Sequence, residues 1–551
     1  MLHGWEAMLG NGLDRRRLLA GGAAAGAALM LPGRLFASPA TGFTHGVASG
    51  EPGPRSMLFW TRYVDAGRRP VPLRLEVASD PRITRGVIRA DLIADPANDG
   101  CAKVTLNRLD PGKTYYYRFL GPGRARSMVG RTKTLPEGNV DLFRLGVFSC
   151  SNLPFGFFNG YAHAVSADDI DLFVHLGDYI YEYARGTYPD AAAAVAGRMI
   201  EPAGETVRLE EYRARYASYR ADPDLQALHA RVPAVCTWDD HEIANDAWTG
   251  GAENHNPRTQ GPWPDRLAAA RKAHREWLPV SDEPYASYDV GRLLSLHRLD
   301  TRVEGREQPF DLRQVIGRGP DVQTALIRFR DTEWVAGNRQ LLGVAQERWL
   351  FDRMAEVARR GTRWQVLAQQ VIMGQLLAPP NADQFAGSIK DPQIQAFLGA
   401  TVMAGRLGIP LNMDAWDGYP AARARLLATA QRQGVNLVVL AGDSHNAWAS
   451  ELVADRRPAG VEFATQSVSS PGFEAYLRGV PPKLMAEQMV AANRGLVWAE
   501  TSQRGYTHVR LTPGEALAEW RFSAPVTGRS PQLAAQTRAR VRAGANRLEL
   551  A

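Results

Sequence analysis

Three cysteines in 551 residues, Cys101, Cys150 and Cys236, are too few for a disulfide framework, and the odd count leaves at least one thiol for other work. Lysine is scarce too, so the formal charge of +7 rests almost entirely on arginine. There is no long basic run and no interleaving of basic with aromatic residues, which argues against a specific nucleic-acid partner. A modest positive balance still favours anionic substrates through steering. Cys-x-x-Cys pairs and dinucleotide fingerprints are missing, which sets aside a redox protein. Beyond the N-terminus no apolar segment approaches bilayer-spanning length, so no integral membrane domain is expected. What is present is ordinary for a globular chain, 45% hydrophobic and 22% charged, at a length that predicts two or more domains.

The N-terminus reads as an address. Asp14-Arg15-Arg16-Arg17-Leu18-Leu19 precedes an uncharged Ala/Gly-rich stretch from Ala20 to Leu31, and small residues follow around Ala37 and Ala40. A charged start, a short apolar run and a small-residue cleavage region make a secretory signal. Paired arginines ahead of a weakly apolar run point to twin-arginine export, with the twin-arginine translocation machinery as a partner. The signal is placed over residues 1–37, with the mature protein in the periplasm or outside the cell.

From Thr41 to Pro136 short alternating runs such as Leu73–Val77 and Tyr115–Phe119, punctuated by Pro, Gly and Asp, predict a β-domain over residues 41–137. Leu109-Asp110-Pro111-Gly112-Lys113-Thr114-Tyr115 looks like the tyrosine corner of an immunoglobulin- or fibronectin-like β-sandwich. Over residues 141–523 the rhythm becomes near-continuous apolar strands alternating with helices, which indicates a buried sheet flanked by helices. The strands are Phe143–Phe148, Ile170–Leu176, Val232–Trp238 and Asn436–Leu440; the helices include Leu209–Arg220, Arg266–Leu278 and Ala421–Gln433. The fold expected is thus mixed, an all-β unit followed by an α/β (α+β) body. The Ala/Arg-rich residues 524–551 suggest a helical tail.

Polar residues with metal affinity follow each of the four strands. Cys150 follows the first; Asp178 and Tyr181 follow the second; Asp239-Asp240-His241-Glu242 follows the third; Asp443 and His445 follow the fourth. Ligands bind beyond strand ends in sheets of this type, where loops from several strands converge. Carboxylate, imidazole and thiolate together suit one or two cations, and a cluster of acids without metal would repel itself.

This ordered set resembles the dinuclear metallophosphatases, and within them the PhoD-type alkaline phosphatase and phosphodiesterase family. The resemblance runs from His45-Gly46-Val47-Ala48-Ser49-Gly50-Glu51-Pro52 through Gly177-Asp178-Tyr179-Ile180-Tyr181, Trp238-Asp239-Asp240-His241-Glu242 and Ala441-Gly442-Asp443-Ser444-His445, with Asp300-Thr301-Arg302 and Trp416-Asp417-Gly418-Tyr419 as further signatures. It implies an αββα sandwich and a metal-dependent phosphoesterase that hydrolyses phosphate esters with a metal-activated water or hydroxide. Asp178 would bridge two metal sites, Tyr181 and Cys150 would bind ferric iron, and Asp240, Asp443 and His445 would fill the remaining shell. His241 would contact the phosphate or leaving group, and Asn245 would serve the second metal or the phosphate. Arg302 would clamp phosphate oxygens or serve as a plain ion-pair residue. Two departures from the broader superfamily bear on the metals. Phe148-Ser149-Cys150-Ser151-Asn152 replaces the usual Asp-x-His opening, and Val366-Leu367-Ala368-Gln369-Gln370 lacks the lone histidine of a middle strand. The first favours Fe(3+); the second favours a hard cation such as Ca(2+), with other divalent metals open. Monoester and diester substrates, the latter including phospholipids or nucleic-acid fragments, both fit these motifs, and an exported binding protein with a degenerate second domain is the alternative from another class.

Overall fold

A computed structural model of the chain describes residues 41–319, 321–382, 392–477 and 479–551. The signal expected over residues 1–37 lies outside the described residues. Among those described, no helix is long and apolar enough to cross a membrane.

Two sheets face each other at the centre. The larger has ten strands, in the order Leu548–Leu550, Leu533–Arg542, Glu515–Ser523, Gly505–Leu511, Phe143–Phe148, Leu172–His175, Ala234–Cys236, Gly42–Gly50, Met57–Val64 and Cys101–Leu106. The smaller has seven: Ala286–Val290, Leu294–Arg298, Trp364–Ala368, Asn436–Ala441, Arg457–Ala464, Ala447–Ala454 and Leu496–Glu500. Strands 143–148, 172–175 and 234–236 pair in parallel in the first, as do 294–298, 364–368, 436–441 and 457–464 in the second. Their facing sides share one apolar core, with Leu145, Val147, Leu172 and Val174 meeting Leu296, Val366, Val438 and Leu440. Buried on both faces, these strands need near-continuous apolar sequence, which is why they are legible without alternation.

Helices close the outer faces. Tyr212, Tyr216 and Tyr219 of Leu209–Arg220, and Ala270, Ala273 and Trp277 of Trp263–Trp277, pack on the ten-stranded sheet. Leu350 and Met354 of Gly343–Arg359, and Leu426, Leu427 and Ala430 of Pro420–Gln433, cover the seven-stranded one. The four ligand-bearing strands therefore do not share a sheet. Three lie in the larger and Asn436–Ala441 in the smaller, so their ends meet across the sandwich.

A third sheet, Ile88–Ala94, Val71–Ala78, Thr114–Leu120 and Gly130–Lys133, shares a core with the N-terminal strands, where Leu75, Val77 and Tyr117 meet Val47 and Phe59. The Asp110 amide donates to the Tyr115 hydroxyl at 2.9 Å, the tie that a tyrosine corner makes. The N-terminal strands also join the central sheet, since Gly50 pairs in parallel with Ala234.

The expected helical tail is a correction. Leu533–Arg542 is a strand paired antiparallel with Glu515–Ser523, and Leu548–Leu550 pairs with it in turn. Arg538-Ala539-Arg540-Val541-Arg542 alternates: Ala539 and Val541 are buried, and Arg538 pairs with Glu519 across the strands. Ala and Arg favour a helix, but an open strand edge with a buried face outweighs that preference.

Candidate metal centre between the two sheets

Four of the predicted ligands sit shortly after a strand has ended, where the backbone turns sharply. Cys150, Asp178, Asp443 and His445 all have positive φ, at 58°, 53°, 61° and 58°. Non-glycine residues seldom adopt this left-handed region, and such strain concentrates at functional sites. The glycines ahead of two of them permit close approach. A Cβ on Gly177 would lie 2.3 Å from the Asp239 amide nitrogen, and one on Gly442 would lie 2.2 Å from Ser149 Oγ.

Three sets of donor atoms come within 4.8 Å of one another: Cys150, Asp178 and His445; Asp178, Asp240 and His241; and Asp239, Asp240 and Asp443. Asp178 belongs to the first two sets and Asp240 to the last two, so the sets run together. All are buried. The Tyr181 hydroxyl joins the first, donating to Asp178 Oδ2 at 2.9 Å and lying 3.2 Å from His445 Nε2 and 2.7 Å from Ser470 Oγ. His445 Nδ1 lies 2.9 Å from the Pro471 carbonyl oxygen, so its proton belongs there and Nε2 faces Asp178 and Tyr181.

The acids are held from behind. Glu242 accepts from the amides of Asp178 at 3.0 Å, Tyr179 at 2.6 Å and Asp239 at 2.8 Å, so one carboxylate braces two ligand loops. Burial, with Asp178 nearby, pushes its carboxyl up to about 8. Glu182 Oε2 lies 2.7 Å from His241 Nδ1. Burial alone would lower the His241 imidazole, but the charges of Asp240, Glu182 and Asp178 outweigh it and hold it well above the usual range. The Asn245 amide donates to Glu182 and its Nδ2 donates to Glu253 at 2.6 Å, which leaves its buried Oδ1 without a partner.

Arg302 is fully buried in the acid cluster. Its guanidinium donates to Asp239, to Asp414 Oδ2 at 2.6 Å and to Asp443 Oδ1 at 3.0 Å, with Asp240 Oδ1 at 3.5 Å. Three guanidinium nitrogens thus each donate to a carboxylate, and full burial sets aside a plain surface ion pair. Motif reading gave no role to Asp239, Asp414, Glu182 or Ser470. Asp239 stood in plain view beside Asp240, whereas Asp414 and Ser470 lie in segments with no spacing signal.

These residues suit cations. Buried Asp178 Oδ1 and Asp239 Oδ2 have no hydrogen-bond partner, an expensive state for a carboxylate unless an ion neutralises it. Burial and the charge of Asp178 push the Cys150 thiol and the Tyr181 phenol well above their usual ranges. Both would ionise in this setting only against a strong positive charge. The first set is mixed sulfur, nitrogen and oxygen; the third is oxygen alone, which divides softer from harder cations.

Comparison with known proteins identifies the family. The family described as PhoD-like phosphatase matches residues 145–520, and its N-terminal domain matches residues 32–136. The chain is 32% identical to alkaline phosphatase D of Bacillus subtilis (strain 168) over 577 residues, covering 97% of this chain and 88% of that protein. A solved structure of PhoD superposes with a TM-score of 0.75 at 29% identity, covering 94% of this chain and 93% of that one. A purple acid phosphatase from yellow lupin (Lupinus luteus) seeds gives a TM-score of 0.55 at 12% identity, over 90% and 74% of the two chains, a likeness of fold alone.

Proposed function

The chain belongs to the PhoD-like phosphatases, phosphoric ester hydrolases, and from that premise we propose that it cleaves phosphate esters at a two-cation centre after twin-arginine export. The convergence of Cys150, Asp178, Tyr181 and His445 on one side of Asp240, with Asp239 and Asp443 beyond it, carries the reading. Cys150, Tyr181, Asp178 and His445 would hold ferric iron. Asp178, Asp240 and Asp443, with Asp239 and Asn245 at hand, would hold a harder cation such as calcium. When bound, the cations supply Lewis-acid polarisation of the phosphoryl group and of the attacking water. The N-terminal sheets are proposed as an immunoglobulin-like domain over residues 41–137, and the catalytic body as residues 141–523.

The chain's own groups do the rest. Glu182 fixes the imidazole of His241 through Nδ1, so acid–base work falls to Nε2, which delivers a proton to the departing alkoxide. Arg302 spreads one positive charge over Asp239, Asp414 and Asp443 and keeps mutually repelling acids in register. It is therefore proposed as the fixed counter-charge of the cluster rather than as a direct phosphate ligand.

Purified protein is expected to contain iron together with a second metal and to hydrolyse a monoester and a diester only while metal-loaded. Phenolate bound to ferric iron absorbs visible light, so a concentrated sample is expected to be coloured. Tyr181→Phe should bleach the band and Cys150→Ser should shift or remove it. A colourless, fully active protein holding only zinc would refute the assignment of Cys150 and Tyr181. Export has its own test: changing both Arg15 and Arg16 to Lys should leave precursor in the cytoplasm, and undiminished export of that form would remove the twin-arginine route.

A further inference from the structure

A cleft of about 360 Å³ opens beside the acid cluster, a size suited to a small organic group. Asp246, on its wall, donates its amide to Asp240 Oδ2 at 2.7 Å. Asp414, also lining it, accepts from Arg302. Glu253 links the wall to the centre a third time through Asn245. Three wall residues thus tie the cleft to the residues of the centre, without any of the centre's own donors lining it.

The lining is selective in two ways. Trp248, Phe310, Leu411 and Met413 give it an apolar and partly aromatic face, suited to a flat ring. Its charges are mainly acidic. Arg313 is paired with Asp311 at 2.9 Å and with Glu253 at 3.2 Å, and Asp414 is held by Arg302 and Arg306. Among the described lining residues the basic one, Arg313, thus already serves two carboxylates, and the acidic balance disfavours a second anionic group.

We infer that this cleft is the leaving-group subsite, and that it selects esters of bulky, uncharged, partly apolar alcohols over esters carrying a further negative charge. The inference rests on the phosphoesterase reading above.

The test uses metal-loaded mature enzyme with 1-naphthyl phosphate, ethyl phosphate, and the pair phenyl phosphate and 4-carboxyphenyl phosphate. Trp248→Ala removes an aromatic wall and should raise KM for the naphthyl ester about fivefold, within the range of one aromatic contact. Gln308→Trp narrows the cleft from an exposed rim position and should act in the same direction. Neither should move KM for ethyl phosphate, and the parent should prefer phenyl over 4-carboxyphenyl phosphate by about tenfold. Unchanged naphthyl KM in both variants, equal shifts for naphthyl and ethyl esters, or equal use of the phenyl pair would overturn the subsite while leaving the hydrolase reading intact. Failure of the metal-loaded parent on every ester would overturn that reading and the subsite with it.

Discussion

His241→Asn is expected to lower turnover by roughly 10²–10⁴-fold on alkyl esters, the range for losing an acid–base group, while leaving metal content and fold intact. The loss should shrink on nitrophenyl esters, whose leaving group needs little protonation. Asparagine matches the imidazole in polarity and fits the space, and Glu182 can still accept from its amide. The geometry makes this test sharp, because His241 also falls within 4.8 Å of donor atoms on Asp178 and Asp240. A ligand role would appear as metal loss with equal rate losses for every leaving group. Measuring metal content and a leaving-group series on one preparation separates the two roles.

Asp178→Asn should instead cost more than about 100-fold on every ester, since disturbing even the partners of a ligand costs about 10–100-fold. Metal content should fall with it, in both sites. Asp178 is shared by two of the three donor sets, and Oδ2 accepts from Tyr181 while buried Oδ1 has no partner. Backbone strain does not confuse the result. Asn tolerates the left-handed φ of 53° as well as Asp does, and the Glu242 brace grips the backbone amide rather than the side chain. Full metal content with full activity would remove Asp178 from the centre.

What sequence could show follows from where the information resides. The strands before Cys150, Asp178, Asp239 and Asp443 are legible because they are buried on both faces, and their polar ends stand out against apolar runs. The Phe143–Phe148 strand and the Leu209–Arg220 helix fall where their patterns place them. The pairing of strands is not local, so nothing in Asn436–Leu440 tells that it joins a different sheet from Phe143–Phe148. The tail misled for the opposite reason. Its Ala/Arg composition carries a helix preference, whereas the alternation that makes it a strand spans only Arg538–Arg542. Arg302 was found by motif, but its setting was not. Asp239, Asp414 and Asp443 reach it from three distant segments, and only packing reveals that its charge is already committed.

The strand that delivers Cys150 has its partners far away in the chain. Phe143–Phe148 is bonded on one side to Gly505–Leu511 and on the other to Leu172–His175, while Ala234–Cys236 meets Gly50 near the beginning. The outer strands beyond Gly505–Leu511, Glu515–Ser523, Leu533–Arg542 and Leu548–Leu550, likewise lie far along the chain from Phe143–Phe148. A ribosome must therefore release the chain through Leu511 before the strand that bears Cys150 has both its neighbours, since such long-range pairing forms late. Ion capture then belongs to the finished molecule and not to the emerging one. On the export proposed above, transport would either carry this protein assembled, with ions already bound, or leave it to gather them on the far side.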